Sequence, residues 1–466
     1  MNEQLRFPPV AGLPLLAGGA WLWTGSTAGA LAFILMLPVG ASLFASGFAL
    51  LLWAGDRRIT QIMALAGLLG TLALPLLLVG LGLGSGLLLS ALAAASALSA
   101  GSAALHQTPA IPDVPQPAPN LRLWASVALD EMVLGAEQLS IGLLSGGAAR
   151  RMADEVQEAM DLYRSRGWLD DPRSYHLDPP PGLDPQIEAA RSGRIAYEHL
   201  RFESGYAPHD DEPGRERWLG LEPPRTAHAY VLRHSTGNRP WIVCTNGYRM
   251  GLPAIDLRAF GHYYNDLGLN VLIPVLPLHG PRRIGRRSGD GFLGGEVLDT
   301  LHGEAQAVWD IRRMIGWIRD QGAPAVGVTG LSLGGYTTAL LASVEPGLAC
   351  VAAGIPVADL ARIFWRHGPP LQLEYLAHIG IDQAQVTELL TVVSPLALEP
   401  CVPFEGRLIF GGTADRLVTP DHIRDLSAHW GNPQTLWYPG GHLSFRMDPN
   451  VQNTVDALLR ETKLCI

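Results

Sequence analysis

Two long stretches without a charged residue dominate the first quarter of the chain. No Asp, Glu, Lys or Arg lies between Arg6 and Asp56, and none lies between Arg58 and Asp113. A transmembrane helix needs about 20 predominantly apolar residues, so each stretch is long enough for two passes. A pair of buried soluble helices would rarely run so far without a charge. We therefore predict a multi-pass membrane region at residues 1–105, with about four helices near 12–36, 37–54, 61–80 and 86–104.

The short loop between the two stretches bears on orientation. Arg57 and Arg58 lie in this loop, and arginines in short loops favour the cytoplasmic side of a membrane. Two further passes would return the rest of the chain to the cytoplasm, whereas a single pass would place it outside. We predict an integral membrane protein whose large domain faces the cytoplasm. A secretory signal peptide fits poorly, because it would supply only one shorter apolar segment.

Beyond these stretches the composition becomes that of a soluble protein. The chain has 466 residues, enough for two or three domains. Residues 106–120 are rich in proline and are typical of an extended linker. Residues 121–165 show helical periodicity, and residues 121–190 are predicted to form a helical connector. The net charge of −9 argues against nucleic acid as a partner, which leaves the bilayer and a small molecule.

The cysteines and histidines give no sign of a metal or a cofactor. Cys244, Cys350, Cys401 and Cys465 show no CxxC spacing, which predicts neither a zinc site nor a disulfide framework. No Gly-x-Gly-x-x-Gly pattern follows a predicted strand, and no His-x-x-x-His spacing occurs. We expect no bound metal and no cofactor.

Residues 191–466 alternate short apolar runs with amphipathic stretches. The runs near 196–204 and 227–234 are predicted to be antiparallel strands. Six later runs, near 241–246, 270–277, 325–330, 349–355, 407–412 and 435–440, are predicted to be buried strands. Buried strands separated by helices indicate an α/β fold with a mostly parallel sheet. In such sheets binding sites form beyond the carboxyl ends of the strands.

One serine stands at such a strand end. In the sequence VGVTGLSLGGYTTALL, which begins at Val326, Ser332 lies between Gly330 and Gly334 where a strand gives way to a helix. A tight turn there would lift the hydroxyl clear of the sheet, above a helix N-terminus that favours negative charge. This pattern predicts a nucleophile. The alternative is a serine that merely caps the helix.

The next two strand ends supply the partners that a serine nucleophile needs. Asp415 follows the strand at 407–412, and His442 follows the strand at 435–440. A serine hydroxyl requires a general base, and the base requires a group that orients it. Asp421 is an alternative carboxylate, with Asp415 then serving only to cap a turn. The order Ser, Asp, His after successive strands favours a catalytic triad.

These motifs resemble those of the α/β-hydrolase superfamily over roughly residues 190–466. The resemblance implies that Ser332 is the nucleophile, His442 the general base and acid, and Asp415 the carboxylate that orients the histidine. It also implies an oxyanion hole made by two backbone N–H groups, those of Leu333 and Tyr248. Many members carry His-Gly before the second donor, where this chain has Asn-Gly at 246–247.

Two segments are candidates for shaping a substrate pocket. Residues 357–400 correspond to the family's cap or lid, although they also suit ordinary helices packed on the sheet. Arg282 and Arg283 lie in a glycine-containing loop after a strand, where they could bind a substrate anion or simply be solvated. We predict a membrane-anchored serine hydrolase that cleaves lipid-like or other amphiphilic carboxylic esters. The alternatives are a thioesterase, an acyltransferase, a peptidase or a non-catalytic membrane scaffold.

Overall fold

A computed structural model describes residues 11–53, 55–140, 142, 144–294 and 296–465. The described residues fall into two compact units. The helical unit comprises the described part of 1–141 together with Gly412–Pro420 and Trp437–Asp448. The sheet unit comprises the described parts of 142–411 and 449–466 together with Asp421–Leu436. The first ten residues of the predicted membrane region lie outside the described residues.

The helical unit is built from the N-terminal helices. Within its described residues they are α1 (Gly12–Thr27), α2 (Ala30–Leu52), α3 (Arg57–Leu72), α4 (Leu74–His106) and α5 (Leu121–Gln138). The proline-rich segment joins α4 to α5. The junction between the first two helices lies at residues 28–29 and not near residue 37 as predicted. Helix α2 continues through Pro38. The predicted turn near 80–86 is a single interruption of α4 at Gly82, whose φ of 78° is non-helical.

Among the described residues, two helices are long and apolar enough to cross a membrane. They are Ala30–Leu52 with 23 residues and Leu74–His106 with 33 residues. Helices α1 and α3 have only 16 residues each, which is short of the length that a bilayer requires. The expectation of about four spanning helices therefore reduces, on length and composition, to two candidates.

Small residues let these helices approach closely. A side chain at Gly18 of α1 would overlap the backbone of α2 at Phe44. A side chain at Gly67 of α3 would come within 2.8 Å of the Ala93 carbonyl oxygen of α4. Close backbone approach at glycine is common where helices pack in membranes.

Nine strands form one sheet among the described residues. They are β1 (Gln186–Ser192), β2 (Ile195–Glu203), β3 (Thr226–Leu232), β4 (Trp241–Thr245), β5 (Asn270–Val275), β6 (Val326–Leu331), β7 (Cys350–Gly354), β8 (Arg407–Gly412) and β9 (Gln434–Tyr438). Their order is β1-β2-β3-β5-β4-β6-β7-β8-β9. Strands β1 to β3 pair antiparallel, and β3 is antiparallel to β5. Strands β5, β4, β6, β7 and β8 run parallel.

This arrangement confirms the predicted α/β fold, including the antiparallel pair β2 and β3. Strand β1 was not predicted, because its burial pattern is almost wholly exposed and its sequence QIEAARS lacks the apolar character of the other strands. Its partner β2 supplies the hydrogen bonds that hold it.

Helices lie between the strands of the sheet unit and beyond them. The ones described are α6 (Gly146–Arg166), α7 (Arg215–Leu219), α8 (Pro253–Asp256), α9 (His262–Asp266), α10 (Val297–Asp320), α11 (Leu333–Val344), α12 (Leu360–His367), α13 (Pro370–His378), α14 (Gln383–Leu389), α15 (Pro420–His429) and α16 (Pro449–Glu461). Helix α11 begins at Leu333, directly after Ser332, where the sequence predicted that a strand gives way to a helix. Strands β8 and β9 run from the sheet unit into the helical unit at their carboxyl ends.

Candidate active site

Ser332 lies on a sharp turn between β6 and α11, as the sequence predicted. Its φ of 59° and ψ of −115° are far from helix or strand values, so the serine occupies a backbone conformation that L-residues rarely adopt. The turn is held by the Ser332 N–H, which donates to the Gly354 carbonyl at 2.9 Å. The Ser332 carbonyl accepts from the Val357 N–H at 3.2 Å. Strained residues of this kind concentrate at functional sites.

The flanking glycines are required by close packing. A side chain at Gly330 would overlap the Gly334 carbonyl group, and a side chain at Gly334 would overlap the Thr245 carbonyl oxygen of β4. A side chain at Gly335 would come within 2.9 Å of the Gly354 oxygen. The pattern Gly-x-Ser-x-Gly-Gly is therefore the set of residues that lets α11 start directly above β6.

The predicted oxyanion donors lie in the same unit as the serine. Leu333 is the first residue of α11, and the first N–H groups of a helix have no partner within the helix. Tyr248 follows β4 in a turn, and its ring contacts the Arg249 guanidinium. Asn246, which stands in place of the family's histidine, is fully buried.

Asp415 and His442 form a close pair in the helical unit. The His442 Nδ1–H donates to Asp415 Oδ2 at 2.7 Å. In the neutral imidazole this hydrogen bond leaves the lone pair on Nε2. The other carboxylate oxygen, Asp415 Oδ1, accepts from the backbone N–H groups of Leu417 and Val418 at 2.9 and 2.8 Å. Asp415 therefore both caps its own turn and fixes the imidazole. Both side chains are buried, at 2% and 4% exposure.

The surroundings of His442 favour its charged form. Burial disfavours the imidazolium, but the Asp415 carboxylate, its hydrogen bond and the nearby Asp130 carboxylate outweigh that effect and raise the pKa of His442. A base of higher pKa takes a proton more readily from a hydroxyl group.

The alternative carboxylate, Asp421, has a different partner. Its Oδ2 accepts from the Arg362 guanidinium at 2.6 Å within the sheet unit. Arg362 also contacts Asp425 at 2.8 Å. Asp415 is thus the carboxylate that the structure brings to His442.

Asp130 was missed by the sequence reasoning. It lies on α5 with no exposed surface, and it accepts from the His442 N–H at 2.7 Å and from the Arg416 N–H at 3.1 Å. The sequence carried a signal for it. Asp130 falls at helical spacing on the apolar stripe of Leu123, Val127 and Leu134, all buried, where a carboxylate needs a specific partner.

Arg282 does not suit the anion-binding role considered for it. The side chain has no exposed surface and pairs with Asp310 at 2.8 Å. It also donates to the carbonyl oxygens of Val275 and Pro224 at 3.0 and 2.7 Å. Its guanidinium is therefore engaged inside the sheet unit, and only the exposed Arg283 keeps the predicted position at the surface.

The predicted cap segment forms α12, α13 and α14. Ile363 and Leu376 are buried, whereas Leu371 is 74% exposed. A cavity of about 210 Å³ lies between this segment and Tyr336 of α11, and its walls include Leu360 and Leu390. Within the described residues, no group of three or more His, Cys, Asp or Glu side chains could hold a metal ion.

Together these features define an α/β protein with a serine on a strand-to-helix turn and a separate buried Asp–His pair. No protein-family model matches the sequence. Two relatives from Mycobacterium tuberculosis are 40% identical over 350 residues, which cover 74% of this chain and 84% of each relative. They are the uncharacterized protein MT2702 of strain CDC 1551 / Oshkosh and the uncharacterized protein Rv2627c of strain ATCC 25618 / H37Rv. The chain belongs to the same family as these mycobacterial proteins.

The solved structures with some similarity to this chain include two acetyl xylan esterases. Acetyl xylan esterase 1 from Thermoanaerobacterium sp. JW/SL YS485 is 17% identical with a TM-score of 0.44, covering 66% of this chain and 94% of that one. The acetyl xylan esterase from Paenibacillus sp. R4 is 14% identical with a TM-score of 0.44, covering 64% and 99%.

Proposed function

We propose that this protein is a membrane-anchored serine hydrolase that cleaves carboxylic esters. Ser332 is the nucleophile, His442 the general base and acid, and Asp415 the group that orients the histidine. The observation that carries the proposal is the backbone of Ser332, at φ 59° and ψ −115° on the turn between β6 and α11. A helix cap needs no such conformation, since capping serines occupy the ordinary β-region.

The Asp–His pair supplies the chemistry that the serine needs. His442 Nε2 takes the proton of the Ser332 hydroxyl as the oxygen bonds to the ester carbonyl carbon. The imidazolium then protonates the departing alcohol, which leaves an acyl-enzyme. A water molecule, deprotonated by the same nitrogen, attacks the acyl-enzyme, and the acid product leaves as Ser332 regains its proton. The 2.7 Å bond from His442 Nδ1 to Asp415 supports this assignment.

The oxyanion of each tetrahedral intermediate would be stabilised by backbone N–H groups. We assign these to Leu333, at the start of α11, and to Tyr248, after β4. The loss of one such donor typically costs about 3–4 kcal/mol of transition-state stabilisation.

The surface of the helical unit supports membrane anchoring. Only 33% of the apolar 18-residue segment of α2 and 28% of the corresponding segment of α4 are buried. A helix in the core of a soluble protein would be mostly buried. Val79 and Leu76 are 90% and 77% exposed. An apolar surface of this kind is unfavourable in water and favourable in lipid.

The cytoplasmic orientation of the acid–base pair has its own support. Thr60, in the first turn of α3, donates to Glu131 at 2.7 Å, and Glu131 pairs with Arg416 beside Asp415. The Asp415 loop therefore lies at the same end of the helical unit as the Arg57–Arg58 loop. Positively charged short loops favour the cytoplasm, and the pair would share that side.

Membrane anchoring also suggests the class of ester that the enzyme cleaves. An enzyme held at a bilayer meets lipid-like and amphiphilic esters, and the partly buried apolar cap residues suit an acyl chain. A thioesterase, acyltransferase or peptidase would use the same three residues and differ in the acyl donor or acceptor.

The test is hydrolysis of p-nitrophenyl esters of graded chain length by the full-length protein in detergent micelles. We expect turnover by the wild type and none above background for Ser332→Ala. The matched control is Ser343→Ala, which removes another hydroxyl of α11 that bonds only to carbonyl groups. Folded wild-type protein that hydrolyses no ester and no thioester would favour the non-catalytic scaffold.

A further inference from the structure

Helix α5 brings two adjacent buried carboxylates, Asp130 and Glu131, into the helical unit. Neither has any exposed surface. Burying a carboxylate is unfavourable unless hydrogen bonds or opposite charges compensate for the lost water. The partners of these two residues therefore indicate what the carboxylates are there to hold.

The Asp130 carboxylate bridges two loops. We call Gly412–Pro420 the acid loop and Gly440–Asp448 the histidine loop. Asp130 Oδ2 accepts from the Arg416 N–H of the acid loop at 3.1 Å and from the His442 N–H of the histidine loop at 2.7 Å. Asp130 Oδ1 accepts from the Leu443 N–H at 3.3 Å. A side chain at Gly441 would come within 2.5 Å of Asp130 Oδ2, so glycine lets the histidine loop reach the carboxylate.

Glu131 extends the same network to the N-terminal helices. Its Oε1 accepts from Arg416 Nε at 2.7 Å, and its Oε2 accepts from the Thr60 hydroxyl of α3 at 2.7 Å. Arg416 also donates to the Thr108 hydroxyl, just after α4. The acid loop is thereby tied to α3, to the end of α4 and to α5.

We propose that Asp130 is a positioning residue that holds the acid loop and the histidine loop in register, so that Asp415 meets His442. The inference rests on the proposed function, and it makes the helical unit a part of the catalytic apparatus as well as an anchor. Asp130 acts through backbone N–H groups and does not touch the reacting atoms.

The charge of Asp130 affects the pKa of His442, which the pH profile of the reaction reports. A residue with a purely structural role would not change that pKa. Burial and then the Asp415 charge raise the pKa of Asp130 to about 7. Burial opposes the charged form of His442, but Asp415 and Asp130 raise the pKa of His442 overall. The charged or titratable groups gathered around this pair are Asp415, Arg416, Glu131 and Tyr438. Asp130→Asn removes the Asp130 charge at every pH at which Asp130 is ionised, and the loss should lower the pKa of His442.

The experiment compares full-length wild type, Asp130→Asn, Asp130→Ala and the control Asp113→Asn, an exposed aspartate of the proline-rich segment. We expect Asp130→Ala to lower kcat/KM about 100-fold, since small misplacements of catalytic groups have effects of that order. Asp130→Asn keeps one acceptor oxygen and loses the charge, so kcat/KM falls less. Because neutral His442 is the active base, the acid limb of its pH profile moves to lower pH. Asp113→Asn matches the wild type.

Amide hydrogen exchange separates this inference from the proposed function. Exchange at His442, Leu443 and Arg416 should become faster in Asp130→Asn than in the control, whether or not any ester is hydrolysed. If the wild type is inactive but this exchange accelerates, the proposed function fails and Asp130 still positions the loops. Unchanged exchange in folded Asp130→Asn overturns the inference, as does an active variant with wild-type kcat/KM and an unmoved acid limb.

Discussion

The turn at Ser332 is specified within a few consecutive residues, whereas the Asp415–His442 pair depends on three distant stretches of chain. Gly330, Gly334 and Gly335 fix the serine turn because neighbouring backbone leaves no room for side chains. The acid–base pair is held by the acid loop, the histidine loop and α5. The proposed nucleophile can therefore be recognised from a short motif. The device that holds its partners can be recognised only once α5 is seen beside the two loops.

Removing the proposed nucleophile should produce the largest effect on kcat. We expect Ser332→Ala to lower kcat by about 10⁶-fold, the scale found when a triad serine is removed. Thermal unfolding should be almost unchanged, because the Ser332 side chain makes no capping hydrogen bond to α11. Stopped assays of the purified variant measure kcat, and a thermal melt of the same sample measures its unfolding. Substantial residual turnover would show that another group is the nucleophile.

Substitution of the two candidate carboxylates, Asp415 and Asp421, should have very different effects on kcat. We expect Asp415→Asn to lower kcat by about 10⁴-fold, because an amide no longer selects the productive histidine tautomer. Asp421→Asn is the matched control, since Asp421 pairs with Arg362. Steady-state kinetics of both variants check this. A larger loss in Asp421→Asn would reverse the assignment of the acid.

The buried pair of the sheet unit should matter for folding and not for substrate binding. Arg282→Ala leaves the buried Asp310 carboxylate without its arginine partner, which typically costs about 3–5 kcal/mol of unfolding free energy. Arg283→Ala, at an exposed position, should cost little. Denaturant titration measures the unfolding free energy of both variants. If Arg282→Ala folded with full stability and raised KM only for anionic esters, the substrate role would return.

A methyl group at the serine turn should be costly because the turn is closely packed. We expect Gly334→Ala to destabilise the protein by about 1–3 kcal/mol, since the added carbon would overlap the Thr245 carbonyl oxygen. Gly316→Ala is the control. Gly316 lies in α10 with open space around it, so alanine there should stabilise by about 0.5–1 kcal/mol. Equal effects in the two variants would remove the packing argument.

The smallest predicted effect is a shift in pH dependence. The pKa of His442 is raised, so kcat/KM should fall as pH drops through an apparent pKa above the ordinary value of about 6.5. The direction follows because only neutral His442 accepts the serine proton. A pH series with a neutral ester measures the limb. An apparent pKa well below 6.5 would contradict the carboxylate-rich surroundings of the histidine.

The strands were predictable because buried parallel strands have continuous apolar sequences. Ser332 and Asp415 follow such strands, β6 and β8. His442 follows β9, which was predicted to be buried but is mostly half-buried. Strand β1 was not predictable, since it is exposed and its pairing with β2 determines its conformation. The extent of α2 was also misjudged. Proline usually ends a helix in water, yet Pro38 lies inside α2, and prolines within helices are tolerated in membranes.

For Asp130 and Arg282 the sequence alone did not predict the role that the structure indicates. Asp130 lay in a helix of no evident chemistry and proved to contact the acid–base loops. Arg282 lay in a loop that suggested anion binding and proved to be buried against Asp310. In both cases the partner is far away in the sequence, and only the fold identifies it.

The most direct test of the central claim is to locate the adduct of a fluorophosphonate probe on the full-length, detergent-solubilised protein. The probe reacts with activated serines, and peptide mass spectrometry identifies the labelled residue. We predict a single adduct on Ser332 that disappears in Ser332→Ala and is greatly slowed in Asp415→Asn. An adduct on another serine, or no adduct on folded wild-type protein that also hydrolyses no ester, would contradict the account.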